Sequence, residues 1–510
     1  MQYVVMPREG FRSEAMTELA PIDREEFPYT VREAELAGRR NVTVLRSVLP
    51  DGPKAIEVDD ATRAAIEARG LARLAEVVTY VRPFSRSRTR GNIVCSSYPL
   101  SQLTPKVTKA PAEEVVIRVR EVINGQKVVP EHALLITALS NVDTNVGEQK
   151  VTNSDGEVSV RVWGDTIKRL YCPYLWKWGG FRESIPLPVA HGGIRRYDLD
   201  LPPLDHDFVD CVRARYGNSR FEEHSQVTVG VIDTGVGPHS SLNIVDGYNV
   251  IGGNKDYADI FGHGTFVAGL IGGKGGGNFS HVRGLAPNVR IIAYRIFGAI
   301  SNKTMNDLIA GAIGQAVVNG CDIINLSLEN DEESEAHPET DVVVRDAITD
   351  ALDRGRIIIA AAGNDNRQDV DYPAAFPGVI AVSAMGIEGK LPPNVLEHIT
   401  VCQPPQLTGQ GEFIAGFSNK GGKIEVTAPG VGVMSLLPKE KWGVCSGTSF
   451  AAPVVAGAAA CLLSQRPDLV QASRDRARSD AIRDLLFASC TPRGFGPEYE
   501  GRGLPDPGER

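Results

Sequence analysis

Three short stretches bring together residue types that can do chemistry as a set. Ser449 lies in Ser446-Gly447-Thr448-Ser449-Phe450-Ala451-Ala452-Pro453. A glycine turn delivers it to the start of a small-residue apolar run over 451–463. Pro453 falls in the first turn of the helix this run predicts, where a missing N–H costs nothing. A hydroxyl there faces unpaired backbone donors and the positive end of a helix dipole. Those donors would stabilise a carbonyl oxygen as it turns negative. Taken alone, Ser449 would serve equally well as a helix cap. Asp233 ends the apolar run Val229-Gly230-Val231-Ile232 and precedes Thr234-Gly235. His263 opens a second small-residue helix in Gly262-His263-Gly264-Thr265-Phe266-Val267-Ala268-Gly269. An imidazole titrates near neutrality and can take a serine proton. A carboxylate can hold its tautomer and steady the imidazolium.

Aspartate, histidine and serine in this chain order, each in its motif, resemble the subtilisin-like serine proteases. The carrying residues are Asp233-Thr234-Gly235, His263-Gly264-Thr265 and Gly447-Thr448-Ser449-x-Ala451-x-Pro453, and the match runs over about 226–490. The resemblance implies a parallel-sheet α/β catalytic domain that hydrolyses peptide bonds through an acyl-enzyme on the triad Asp233, His263 and Ser449. Ala360-Ala361-Ala362-Gly363-Asn364 is similar to the element whose asparagine completes the oxyanion hole, so Asn364 and the backbone N–H of Ser449 are the implied donors. Asn325-Leu326-Ser327-Leu328-Glu329 looks like the strand that pairs with an extended substrate. Ser327, Leu328, Glu329 and Gly363 are therefore implied substrate contacts. The family usually has glycine where this chain has Glu329, and Asp331, Glu332, Glu333 and Glu335 follow. Tyr372-Pro373-Ala374 resembles the floor of the primary specificity pocket and puts Asp371 near its base. A carboxylate there implies a preference for Arg or Lys before the cut. Calcium is common in the family, but no contiguous loop here demands it, so no cofactor and no metal ligand set is expected.

The 510 residues leave room for several domains, and 42% hydrophobic with 23% charged residues is ordinary for a globular chain. A net charge of −9 speaks against a nucleic-acid surface. The first residues lack a basic segment followed by a long apolar one, and 451–463 is too short to span a membrane. Eight scattered cysteines without a Cys-x-x-Cys pair fit buried thiols in a reducing cytosol. A cytoplasmic location and no membrane partner are the expectation. Cys445 reads as a packed small residue rather than a second nucleophile.

Upstream of the motifs, residues 1–83 predict a small β-α-β-β-α-β unit of ferredoxin-like order. Its strands are expected at 2–6, 41–48, 54–58 and 77–81, with helices over 12–19 and from Asp60 to about Leu74. Before a subtilisin-like domain, such a unit is similar to the family's inhibitory propeptide. The basic stretch 85–91 reads as an exposed linker and a processing site. Residues 110–188 predict a small β-sandwich with alternating strands around 115–119, 133–139 and 158–162. Thr152-x-x-Asp155-Gly156-x-Val158 weakly resembles carboxypeptidase-regulatory-like modules. Trp163, Trp176 and Trp178 are expected to pack in its core or edge. With no nucleophile, base or metal ligands, the sandwich is expected to be dispensable for short peptides. Residues 189–220 read as a linker, 221–492 as the catalytic domain and 493–510 as a tail. Catalytic strands are expected at 227–232, 290–296, 323–328, 357–362 and 379–383, with helices at 263–271, 306–319 and 341–354. The partners expected are a protein or peptide substrate and the chain's own N-terminal unit. A peptide ligase on the same site, or an inactive binding scaffold, are the alternatives.

Overall fold

The computed structural model describes residues 2–6, 42–47, 53–61, 63–64, 73–81, 86–89, 92–95, 105–205, 207–217, 226–275, 282–298, 303–331, 338–401 and 408–507. The first four strands are β1 (Gln2–Met6), β2 (Val42–Ser47), β3 (Lys54–Val58) and β4 (Arg73–Glu76). They form an antiparallel sheet ordered β2-β3-β1-β4. This is the ferredoxin-like arrangement, with the first strand between the third and the last. The helix expected over 12–19 lies outside the described residues. The helix from Asp60 begins as expected, with Arg63 N donating to Asp59 O at 2.9 Å. It does not reach Leu74, which belongs to β4. The last strand also differs from the expected 77–81. β4 closes the sheet, and β5 (Thr79–Val81) leaves it, because Val78 and Tyr80 are buried against the catalytic unit. The basic stretch is likewise not a plain linker. β6 (Arg86–Thr89) pairs antiparallel with β7 (Asn92–Cys95).

The next unit has two sheets around one apolar core. β8 (Glu113–Ile123), β9 (Gln126–Val128), β10 (Leu135–Asn141), β11 (Val146–Val151), β12 (Glu157–Val162), β13 (Thr166–Cys172), β14 (Gly180–Pro186) and β15 (Arg195–Leu201) supply it. One sheet is ordered β11-β10-β13-β14 and the other β12-β8-β15. Val115, Ile117, Val160 and Leu199 from one sheet meet Ile136, Ile167 and Leu170 from the other. The expected linker over 189–220 is thus partly structured. Tyr197, Leu199 and Leu201 alternate with polar residues, and β15 runs parallel to β8. α1 (Cys211–Tyr216) follows, capped by Asp210, whose Oδ1 accepts from Arg213 N at 2.9 Å.

Near-continuous apolar runs in the second half build a parallel sheet covered on both faces. Its elements in chain order are β16 (Thr228–Asp233), β17 (Ile244–Asn249), α2 (His263–Gly272), β18 (Arg290–Arg295), β19 (Lys303–Met305), α3 (Asn306–Val318), β20 (Ile323–Leu326), β21 (Glu329–Asn330) and α4 (Val342–Asp353). They continue with β22 (Ile357–Ala361), β23 (Ile380–Ile387), β24 (Glu412–Ile414), β25 (Val426–Pro429), β26 (Val433–Leu437), β27 (Lys441–Cys445) and α5 (Thr448–Ser464). The parallel order is β17-β18-β16-β20-β22-β23-β25, with β24 antiparallel at the end and β19 and β21 outside the sheet. Along β16, Val229 and Val231 face the layer of α2 and α5, and Ile232 faces that of α3 and α4. Connections diverge from β16, so its carboxyl end is the switch point where open α/β sheets bind ligands. Asp233 sits there.

The expected tail over 493–510 is a structured cap instead over its described residues, 493–507. α6 (Arg476–Ala488) leads into β28 (Cys490–Thr491), α7 (Pro497–Glu500) and β29 (Leu504–Pro505), which pairs with β28. Buried Glu500 accepts backbone N–H groups from Arg493, Gly494, Phe495 and Gly496. A carboxylate that organises a loop this way gives no apolar periodicity to read. Among the described residues there is no disulfide, and no helix is long and apolar enough to cross a membrane. Cys445 is buried, and burial pushes its thiol well above the usual range, as suits a packed residue.

Candidate active site

Asp233 and His263 come from two different elements and meet at the switch point, and Ser449 comes from a third, next to Phe450, whose ring packs on that of His263. His263 is the first residue of α2 and is fully buried. Its Nδ1 lies 2.8 Å from Asp233 Oδ1 and 2.9 Å from Oδ2. The carboxylate is fixed in turn by Thr234 N, which donates to Oδ1 at 2.7 Å. Gly264 makes the close approach possible, since a Cβ there would lie 2.0 Å from Gly235 O. Ser449 is the second residue of α5, after a glycine turn at Gly447. Phe450, the next residue, places its ring 5.3 Å from the His263 ring. Ser449 Oγ is buried and makes no hydrogen bond among the described residues, so no other side chain ties it down.

The loop and helix that carry Asp233 and His263 are joined by a carboxylate that the motifs did not reveal. Buried Asp259 accepts from Thr234 Oγ1 at 3.0 Å, Phe261 N at 2.9 Å, Gly262 N at 2.8 Å and Thr265 N at 2.8 Å. Thr265 Oγ1 also donates to it at 2.6 Å and accepts from Gly237 N at 2.9 Å. Thr234 Oγ1 accepts from Gly264 N at 2.9 Å. Burial pushes the Asp259 carboxyl above its usual range, and the bonds from Gly262, Thr265 and Phe261 oppose that. The only sequence signal was an aspartate four residues before His263.

Asn364 stands beside Thr448, the residue before Ser449. Its Oδ1 accepts from Thr448 N at 2.9 Å and Thr448 Oγ1 at 3.1 Å, which orients the amide. Ser327 Oγ donates to Ser449 O at 2.8 Å and accepts from Asn325 Nδ2 at 2.9 Å, tying the expected substrate strand to the serine helix.

The model of the subtilase family matches residues 224–500. The chain belongs to the subtilase family. Subtilisin DY of Bacillus licheniformis is 32% identical over 285 residues, covering 55% of this chain and 89% of the relative. Subtilisin Savinase of Lederbergia lenta is 32% identical over 259 residues, covering 51% and 84%. A solved structure, the epidermin leader peptide processing serine protease EpiP from Staphylococcus aureus, is similar at TM-score 0.46 and 21% identity, covering 58% of this chain and 78% of that one. This subtilase is a serine endopeptidase.

The subtilase's other expected contacts are placed as follows. Leu328 is buried in the core below α3 and α4, so its side chain cannot line a cleft. The strand expected over 323–328 ends at Leu326, and Glu329 opens β21. The strand that pairs with β21 is the chain's own β5. Val81 lies opposite Glu329 on one side and Lys303 of β19 on the other, in a three-stranded sheet. Asp331 N donates to Thr79 O at 3.1 Å, and Asn306 N donates to Val78 O at 3.0 Å. Tyr80 is fully buried, and its hydroxyl donates to Asp341 Oδ2 at 2.9 Å. Asp341 also caps α4.

Gly363, Asp371 and Glu329 converge. A Cβ on Gly363 would lie 2.0 Å from Asp371 Oδ2, so only glycine lets that carboxylate approach. Asp371, Glu329 and Asp365 have carboxylate oxygens within 4.8 Å of one another. Asn419 Nδ2 donates to Asp365 Oδ2 at 3.0 Å and to Asp371 Oδ2 at 3.2 Å. Asp365 and Asn419 were not singled out in the sequence, although Asp365 directly follows Asn364. Asp331 turns elsewhere, its Oδ2 being 2.6 Å from Lys303 Nζ. Residues 332–337, with Glu332, Glu333 and Glu335, lie outside the described residues.

Behind the pair of catalytic helices sits the sandwich. Trp176, in the turn between β13 and β14, stacks on Phe266 of α2 at 5.2 Å and lies edge-on to Phe450 at 6.5 Å. Phe266 and Phe450 are 4.7 Å apart. Trp176 was expected inside the sandwich's own core or edge, and packs on the catalytic unit instead. Trp178 is buried among Val395, Met434 and Val444, also residues of the catalytic unit.

Proposed function

We propose that Ser449 is the nucleophile, His263 the base that takes its proton, and Asp233 the group that holds the imidazole. Attack on the scissile carbonyl gives a tetrahedral oxyanion, which Asn364 and the backbone N–H of Ser449 stabilise. His263 then passes the proton to the leaving amine, and water hydrolyses the acyl-enzyme by the same route. The bonds that the two Asp233 oxygens share with His263 Nδ1 support these roles. No cofactor is needed for this chemistry. Ser449→Ala in the full chain should lower turnover of a short peptide by more than about 10⁴-fold with an unchanged melting temperature. Full activity in that variant, with contaminating protease excluded, would overturn the assignment. Asn364→Ala should lower kcat by about 10²–10³ with little change in KM.

The N-terminal unit is proposed to be the enzyme's own inhibitor. The single observation that carries this is β5 standing as the middle strand between β19 and β21. An extended peptide substrate would use the same main-chain groups. Maturation would cut near Arg86–Arg90, after the β6–β7 hairpin opens, since a protease takes an extended strand. The carboxylates of Asp371, Glu329 and Asp365 are proposed to receive an Arg or Lys side chain before the cut. Peptides with Arg, Lys or Leu at that position, assayed with and without a calcium chelator, test this. A preference for Leu, or a preference for Arg that vanishes with the chelator, would refute it. The enzyme is proposed to work in the cytoplasm on a protein or peptide substrate, without a nucleic-acid or membrane partner.

A further inference from the structure

The carboxylate proposed to read the substrate also holds the amide proposed to stabilise the oxyanion. Asn364 Nδ2 donates to Glu329 Oε2 at 3.1 Å, while its Oδ1 is held by Thr448 next to the nucleophile. Glu329 in turn shares the cluster with Asp365 and Asp371. A continuous polar path therefore runs from the specificity pocket to the reacting centre. It passes through one side chain at a position where subtilisin-like sequences usually have glycine.

We infer that Glu329 couples the charge of the bound substrate side chain to the rate of the chemical step. This rests on the reading of the acidic cluster as a pocket for Arg or Lys. A carboxylate hydrogen-bonded to the oxyanion donor places negative charge beside the oxygen that becomes negative in the transition state. That charge opposes the stabilisation Asn364 offers, because preorganised donors act through the same field. An uncharged side chain in the pocket leaves the opposition in place. A guanidinium or ammonium compensates the Glu329 charge, and Asn364 then acts at full strength. The ground state, with a neutral carbonyl, feels little of this. Discrimination between Arg and Leu therefore falls in kcat, beyond whatever binding to Asp371 adds in KM. No covalent bond beyond those of the proposed hydrolysis is involved.

The test measures kcat and KM separately for matched peptides carrying Arg, Lys or Leu before the scissile bond. It uses the full chain as wild type, Glu329→Gln and Asp371→Ser. Glutamine keeps the size of the side chain and removes its charge, and a melting curve checks the fold of each variant. In wild type, kcat for Arg should exceed kcat for Leu by about tenfold or more. Glu329→Gln should raise kcat for Leu about tenfold and leave kcat for Arg within about threefold. Asp371→Ser should instead raise KM for Arg and leave the kcat ratio in place. A wild-type preference for Arg lying wholly in KM would keep the pocket reading and overturn the coupling. An increase in kcat for Leu and Arg alike in Glu329→Gln would also overturn it, since the cation would then relieve nothing. No preference for Arg over Leu, unchanged by Asp371→Ser, would remove the pocket reading and the coupling with it.

Discussion

Two non-catalytic units lean on the same subtilase fold, and they do so with different physics. The N-terminal unit is held largely by backbone. β5 pairs on both sides, Asn306 N and Asp331 N reach the carbonyls of Val78 and Thr79, and Asn306 Nδ2 reaches Glu76 O at 2.9 Å. Main-chain pairing of this kind is indifferent to sequence and open to replacement by any extended peptide. The sandwich is held by large side chains in fitted positions. Trp176 completes an aromatic stack behind His263, and Trp178 fills a cavity between Met434 and Val444. Leu139 and Tyr171 close over Leu396, and Leu396 N donates to Gly179 O at 2.9 Å. Close packing of this kind has no substitute in a passing peptide. The proposed release of the N-terminal unit suits the first kind of contact, and permanence suits the second.

Loosening the first contact should produce the largest change. Among the described residues, Tyr80 is the largest side chain that this unit buries there, beside Val78, and its hydroxyl satisfies Asp341. Removing the ring empties a core site and leaves a buried carboxylate oxygen short of a donor, at about 3–5 kcal/mol. Tyr80→Ala should therefore weaken docking of the N-terminal unit by about 10²–10⁴-fold and shorten the lag before full peptide turnover. Tyr80→Phe, which loses only the hydrogen bond, should act about tenfold. Lower activity in Tyr80→Ala, with the fold intact, would mean that the unit assists catalysis rather than restrains it.

The second contact should behave in the opposite sense. Trp176 touches the ring of Phe266 in α2 and that of Phe450 beside Ser449. Trp176→Ala leaves a void behind both catalytic helices, and small displacements of reacting groups cost about 10²-fold. A fall in kcat of about 10–10² with KM nearly unchanged is expected, largely restored by Trp176→Phe. The sandwich is then not dispensable even for short peptides, contrary to what its lack of catalytic side chains implied. Undiminished kcat in Trp176→Ala would return the sandwich to the role of a passive neighbour.

What the sequence disclosed follows the same division. The places of Asp233, His263 and Ser449 in the fold were legible because each stands at the end of a strand or near the start of a helix, inside a short motif with a turn, and Asn364 follows the end of β22. The strand 54–58 was legible from the Pro50-Asp51-Gly52-Pro53 turn before it, and 290–295 from the apolar run Ile291-Ile292-Ala293-Tyr294. β15 was missed although Tyr197, Leu199 and Leu201 alternate, because Gly192-Gly193 and Pro202-Pro203 flank it like a linker. Asp259, Asn419 and Glu500 were illegible for a different reason. Each is a polar residue whose value lies in backbone N–H groups or carboxylates that only tertiary structure brings near. Trp176 was assigned to the wrong core, since an aromatic residue in a turn between strands carries no mark of which neighbour it will meet.

The prediction with the smallest effect on turnover sharpens the claim that the sandwich contact is permanent, and it concerns pH. Glu397 lies in the turn whose Leu396 packs on the sandwich, and its side chain is buried with Oε2 unbonded among the described residues. Burial raises its carboxyl from an ordinary value near 4.5 to about 8, so the folded protein keeps it neutral at pH 7. Between about pH 4.5 and 8 the unfolded chain has released this proton and the folded chain has not. The stabilisation is full below about 4.5, declines by at most about 1.4 kcal/mol per pH unit as pH rises, and levels off above about 8. Glu397→Gln keeps the neutral shape and cannot ionise when unfolded. Its melting temperature should match that of wild type near pH 4.5 and exceed it by a few degrees at pH 8, with peptide turnover at neutral pH unchanged. Parallel melting curves for the two proteins from pH 4.5 to 8 would show that Glu397 is solvated in solution. The contact with the sandwich would then be looser than the fit of Leu396 and Trp178 implies.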